Sequence, residues 1–286
     1  MSDNNIYQAI WDADMEQNGI KPVSSKEEGN ETDGYVVVDL ETCQPQHNVF
    51  KEVSIPDKKK NSYELVTKLF NNYSLNQKKK ENNTLDEEKE VEEFLKMAIE
   101  TKPMELAKQY IEENSNKTYS DLQWYTYLHD IWFRQFNSQS GMDLCAFEHV
   151  FVGEQKGTKL GGHHFWYKYW LEDNASVEND HILMSCPIDK NKNPSNHDAI
   201  TVGYSVDAFD YEKQQFTKLF KKIGGFFVGL SAEGIIALGT VRFTPQSFAP
   251  KDAVINNVHY QLKLFRSPDN KSMRTFYPVY IPSQNT

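Results

Sequence analysis

The stretch AFEHVFVGEQKGTKLGGHHFWYKYW, residues 146–170, holds three of the chain's eight histidines and two glutamates, interleaved with phenylalanine, tryptophan and tyrosine. A core strand has little use for the titratable groups, and a solvated loop has little use for the aromatics. Segments that combine the two are where shifted pKa values, and hence chemistry, gather. AFEHVFVGE alternates as a strand does, and GGHHFWYKYWLED reads as a helix opening after a glycine pair.

The stretch also divides the chain. Upstream, apolar residues recur at helical spacing over 5–18 and in SYELVTKLFNNY. Two more helices are expected over 90–113, broken near Pro103, and another in SDLQWYTYLHDIWFRQF with Ser120 as its N-cap. The polar connection between the first two helices has room for one short strand, Tyr35 to Leu40. Downstream, ITVGYSVDAFDYEKQQ, GGFFVGLSAEGIIALGTVRFTP, VHYQLKLF and RTFYPVYIP are runs rich in Val, Ile, Phe and Tyr, bounded by turn residues. The expected fold class is α+β, as one domain over 1–286: a mainly helical region, 1–140, packed on a region of antiparallel sheets with a few helices, 141–286.

Composition narrows the function. A net charge of -10 argues against a protein that coats nucleic acid through bulk charge, while leaving room for a locally basic cleft. The N-terminus lacks the basic and apolar regions of a signal peptide, and no apolar run is long enough to span a bilayer. A soluble cytoplasmic or nuclear protein is expected, with secretion only if a leader is missing from this chain. Cys43, Cys145 and Cys186 are far apart without CxxC spacing, which disfavours a disulfide framework or a cysteine-ligated zinc.

Three chemistries compete for the conspicuous residues. A zinc hydrolase lacks HExxH, and His163 and His164, as helix neighbours, would point about 100° apart. A hydrolase nucleophile fares little better: VGLSAEG is not G-x-S-x-G, and Cys145 in its apolar setting reads as an inert core residue. The third is a histidine pair. His149, with His163 or His164 brought back by the glycine-bearing turn EQKGTKLGG, would let one imidazole take a proton while the other gives one. With a lysine to neutralise a developing oxyanion, such a set fits transesterification, in which the ribose 2′-hydroxyl attacks its own 3′-phosphate and the 5′-oxygen leaves.

FEHVFVGE (147–154), Gly162-x-His164-x-Trp166 and KKIGGFFVGLSAE (221–233) resemble, in this order, the signature blocks of the EndoU (XendoU-like) endoribonucleases. AIWDAD, KPMELAKQYIEEN, LHDIWFRQF and FYPVYIP extend the resemblance over essentially the whole chain. The resemblance implies His164 as general base, His149 as general acid and Lys221 as the group that steadies phosphate charge, with the acid and base roles open to exchange. It implies that Glu148 and Glu154 orient His149 and Lys221 or hold a stimulatory Mn²⁺ or Ca²⁺. His163 is then expected to face solvent or bind phosphate, and Gly225, Lys263 and Phe265 join it as substrate-binding candidates. The implied partner is single-stranded RNA, cut with some uridine preference to 2′,3′-cyclic phosphate and 5′-hydroxyl ends by a monomeric enzyme.

Two departures from the family pattern stand out. A Thr-Tyr pair at the base site is expected near the C-terminus, yet its best match is Gln261-Leu262-Lys263, without either residue. An acid usual in the family is replaced by Ile235. The rival reading is therefore a catalytically weak RNA-binding protein of the same fold.

Overall fold

A computed structural model describes residues 5–40, 44–45, 48–173, 182–187, 193–245 and 249–282. The chain opens with α1 (Ile6–Gln17), started by the Asn5 side chain, which accepts from the Gln8 amide. A three-stranded sheet follows, built from β1 (Lys21–Val23), β2 (Tyr35–Val38) and, beyond β3 (Gln44–Pro45), β4 (Phe50–Ser54). Then come α2 (Asp57–Lys68), α3 (Leu85–Ile99), α4 (Lys102–Ser115) and α5 (Asp121–Trp132). Thr84 and Ser120 each form a capping box, with Glu87 and Gln123. Pro103 sits in the first turn of α4, where its missing N–H leaves no helical acceptor unpaired.

The second half begins with a helical turn over Glu148–Val152, β5 (Glu154–Lys156), β6 (Lys159–Gly161) and α6 (Trp166–Asp173). It continues through β7 (Ile182–Pro187), β8 (Ala199–Asp210), β9 (Gln215–Phe227), α7 (Ala232–Phe243), β10 (Asp252–Ile255), β11 (Val258–Arg266) and β12 (Met273–Tyr280). The main sheet runs β3-β7-β8-β9-β6-β5, and β10-β11-β12 form a separate antiparallel sheet. One hydrophobic cluster extends from Ile6 to Phe276, with Trp124, Trp132 and Trp166 fully buried in it. The fold is α+β, helical first and sheet-rich second, as the sequence implies.

Three local expectations are corrected. FEHVFVGE is not a strand: its middle is the helical turn, and only Glu154 enters a strand. The N-terminal half carries a small sheet where one short strand was expected. GGFFVGLSAEGIIALGTVRFTP is a strand end followed by α7, whose every residue is buried. A helix without a polar face has no 3.6-residue signature to separate it from a buried strand.

Ser231 caps α7 and is itself held by α1. Its amide donates to Asp14 Oδ2 at 2.8 Å, its hydroxyl donates to Asp14 Oδ1, and its Oγ accepts from the Gly234 amide at 3.1 Å. Glu233, in the same first turn, accepts from the Ser62 hydroxyl at 2.8 Å and from Asn18. Burial, reinforced by Glu233, pushes the Asp14 carboxyl up to about 7. Asp14→Ala strands two buried donors and is expected to cost about 2–3 kcal/mol in urea unfolding. Ser231→Ala, which removes the cap but also one donor, should cost about 1 kcal/mol. An Asp14→Ala midpoint equal to wild type would contradict this seating of α7.

Candidate active site

The turn Glu148–Val152 is π-helical, closed by the Gly153 amide on the Glu148 carbonyl at 2.8 Å. Wide turns of this kind recur at functional sites because they push side chains out of the α-helical register. Here the turn leaves the His149 side chain 15% exposed while burying Glu148. The chain then returns through β5 and β6 and crosses beneath His149. The His163 amide donates to the His149 carbonyl at 2.8 Å, and the His164 amide donates to Val150 at 2.6 Å. Only glycine fits the crossing: Gly162 has φ +62°, and a Cβ there would lie 1.8 Å from the His149 carbonyl oxygen.

The crossing brings the His149 and His164 rings to 6.1 Å between centroids. His164 Nδ1 lies 2.8 Å from the Gly225 carbonyl, which can only accept, so Nδ1 carries the proton and Nε2 keeps its lone pair. Tyr277 stacks on the His164 ring at 4.5 Å and 12°. His149 Nδ1 is 3.2 Å from Glu154 Oε2, and both Glu154 oxygens accept from the Arg274 guanidinium. Lys221 donates to the Gly162 carbonyl. His149, His164, Lys221 and Gly225 line one cavity of about 750 Å³ together with Thr275 and Tyr277, and Ile223 and Phe265 line it too.

Burial sets the protonation states. It pushes His164 well below the usual histidine range, helped by the positive charges of Lys221 and His149. It lowers His149 as well, against the pull of Glu154. It brings the Lys221 ammonium down to about 8, with Glu154 opposing. For Glu154, burial would raise the carboxyl, but His149 and Arg274 outweigh it and hold it at about 2. Glu148 has no such relief: burial and the Glu154 charge raise its carboxyl well above the usual range, and neither of its oxygens has a hydrogen-bond partner.

These environments do not suit the cation role. Glu154 is occupied on both oxygens by Arg274, and Glu148 is held neutral. Among the described residues no group of three His, Cys, Asp or Glu side chains is placed to hold a metal ion.

The remaining sequence candidates divide. Gly225 contributes its carbonyl, and Phe265 lines the cavity while 57% exposed. Lys263 is not in the lining, but it lies directly across the β11–β12 ladder from Tyr277 and so shares its face. His163 is corrected. It precedes α6 in a left-handed conformation, φ +60°, and is fully buried, with Nδ1 2.5 Å from the Tyr204 hydroxyl and Nε2 2.8 Å from Glu172. It faces neither solvent nor the cavity. Ile235 lies in the core of α7, and Leu262 is 1% exposed and turned away from the site.

Arg274, Thr275 and Tyr277 escaped the sequence reading. In sequence RTFYPVYIP reads as a closing strand, and the best sequence match for the Thr-Tyr pair lies one strand away, at Gln261-Leu262-Lys263. The signal was present as strand alternation, which puts Thr275 and Tyr277 on one face and buried Phe276 on the other. A second cavity, of about 700 Å³, lies among Phe70, Tyr73, Leu171 and Phe209. The Glu172 and Lys168 that line it pair with each other at 2.9 Å, and neither His149 nor His164 lines it.

Comparison with known proteins places the chain in a family. The family model described as Endoribonuclease XendoU matches residues 4–278. Poly(U)-specific endoribonuclease-B of Xenopus laevis is 26% identical over 231 residues, covering 80% of this chain and 75% of its own. Uridylate-specific endoribonuclease C of Danio rerio is 29% identical over 228 residues, covering 78% and 70%. The solved structure of XendoU, a splicing-independent snoRNA-processing endoribonuclease, superposes with a TM-score of 0.70 over 96% of both chains at 24% identity, which shows a shared fold. With the family model spanning nearly its whole length, the chain belongs to the XendoU endoribonuclease family.

Proposed function

We propose that the protein cleaves single-stranded RNA by transesterification, leaving 2′,3′-cyclic phosphate and 5′-hydroxyl ends. The observation that carries this reading is the pair of imidazoles 6.1 Å apart in a cavity that also receives Lys221. His164, neutral and fixed as the Nδ1–H tautomer by Gly225, has its Nε2 lone pair available to take the 2′-hydroxyl proton. The 2′-oxygen then attacks the adjacent phosphorus, and the bond to the 5′-oxygen breaks. His149, whose Nδ1 is steered by Glu154, gives its Nε2 proton to that leaving oxygen. Lys221 offers its charge to the phosphoryl oxygens as negative charge builds on them. The substrate supplies the nucleophile, so no water has to be activated.

Uridine preference is supported by Thr275 and Tyr277. The Thr275 hydroxyl is buried in the cavity lining without a hydrogen-bond partner, available to the edge of a uracil, and Tyr277 offers an aromatic wall. A missing Thr-Tyr pair favours the binding-only rival, and the presence of Thr275 and Tyr277 in the cavity lining supports cleavage over it.

His164→Ala and Lys221→Ala are each expected to lower kcat about 10²- to 10⁴-fold on a uridine-containing RNA while retaining the fold. Mass spectrometry of the wild-type products should show cyclic phosphates. RNA bound by the wild type but left intact would sink the reading.

The pH profile follows from the shifts. The base must be neutral, so activity is lost as pH falls through the His164 pKa, well below the usual histidine range. The acid must hold its proton, so activity is lost as pH rises through the lowered His149 pKa, and further as Lys221 discharges near about 8. A bell-shaped kcat/KM with its maximum on the acid side of neutrality is expected. A rate that climbs steadily from about pH 5 to 9 would contradict the assignment.

A further inference from the structure

Leu85 and Leu122 are isolated exposed apolar side chains on helices, but four others gather near the catalytic cavity. Among the described residues, Phe216 (47%), Phe220 (53%) and Ile223 (54%) lie along β9, and Phe265 (57%) stands across the cavity mouth from Ile223. The β8–β9 register explains the grouping. Thr201 opposes Gly225, Ser205 opposes Phe220, Asp207 opposes Lys218 and Phe209 opposes Phe216, with a bulge between that takes up Lys222 and Ile223. Opposed residues share a face, so Phe220, Lys218 and Phe216 lie on the same face as Thr201 and Gly225 of the cavity lining, beyond the bulge, while Lys221, which lines the cavity too, pairs with Tyr204 on the other face.

Charge follows the same line. Lys159 on β6 pairs in register with Phe220, and Lys159, Lys218 and Lys222 are all exposed. At the hairpin tip Lys79 and Lys213 are neutralised by Glu212 and Asp210, whereas these three carry no ion pair among the described residues. Asp207, opposite Lys218, offsets part of the charge at that one position. In a chain of net charge -10, lysines interleaved with exposed phenylalanines and running into the active site are an exception that a polyanion with aromatic bases would match.

We propose that this open face of the β8–β9 hairpin is a track for the single-stranded RNA that flanks the cleaved phosphodiester. Bases stack on Phe220 and Phe216, and phosphates meet Lys222, Lys159 and Lys218. From Phe216 to Ile223 the strand spans about 20 Å, the reach of several nucleotides. The track deepens the ribonuclease reading and rests on it for the direction of the RNA, but its test is separable.

Fluorescence anisotropy with a 5′-labelled 2′-O-methyl decauridylate, whose blocked 2′-oxygen cannot attack, measures the track apart from the chemistry. Phe220→Ala is expected to weaken binding roughly tenfold, and Phe220→Trp to restore it. Lys218→Glu/Lys222→Glu should weaken binding further and flatten its salt dependence. Phe220→Ala and the double lysine variant binding as wild type would overturn the proposal. So would unchanged binding accompanied by dissociation of a wild-type dimer in sedimentation, which would make the face a protein interface. If the wild type binds the decamer in this pattern yet leaves unmethylated RNA intact, the cleavage reading falls and the track stands.

Discussion

The site depends on two backbone hydrogen bonds at one crossing. The amides of His163 and His164 donate to the carbonyls of His149 and Val150, so the segments that carry His149 and His164 are fixed to each other through main chain. Side-chain geometry follows from that contact. The crossing in turn requires Gly162, since any Cβ would collide with the His149 carbonyl, and it draws on the π-helical turn, whose His149 carbonyl accepts from the His163 amide. His163 occupies its left-handed conformation because Tyr204 and Glu172 hold its ring in the core. The strained residue is thus a strut that sets the direction in which its neighbour His164 leaves the backbone.

Around this crossing the protein spends buried charge in a particular order. Arg274 and Glu154 form a two-pronged pair that keeps Glu154 ionised and aligned on His149. Paired and desolvated, such a carboxylate orients an imidazole better than a hydrated one, because its geometry does not relax. Glu148, a few residues away in sequence and equally buried, has no hydrogen-bond partner on either oxygen, and burial with the Glu154 charge raises its carboxyl well above the usual range despite Arg274. Two glutamates in one motif therefore have different physical roles. Lys221, with its pKa brought down to about 8 by burial, keeps most of its charge at neutral pH, so that charge is available to negative charge that enters the cavity.

Much of this was legible in the sequence. The N-cap at Ser120 and the proline at the head of α4 are local signals that mark helix boundaries, because capping depends on residues only three apart, whereas α3 opens at Leu85 behind its Thr84 capping box, ahead of the expected start at 90. The ordered blocks around His149, His164 and Lys221 identified residues that the fold brings to one cavity. What stayed hidden depended on distant partners. FEHVFVGE has strand-like alternation, and nothing local announces a π turn, whose reason is the crossing strand near Gly162. α7 lacks a polar face because α1, α4 and α5 surround it, so its helical period is invisible. Arg274 and Tyr277 gain their roles only when β12 is laid beside the π turn, more than a hundred residues earlier in the chain.

The central claim is that the substrate's own 2′-hydroxyl is the nucleophile and that the paired histidines move its proton. The most direct test is a uridine-containing RNA with a single 2′-deoxyuridine at an established cleavage position. Cleavage is expected to vanish on the 3′ side of that one nucleotide and to persist at the other uridines. Cutting at the deoxy position at a rate comparable to its neighbours would contradict the mechanism.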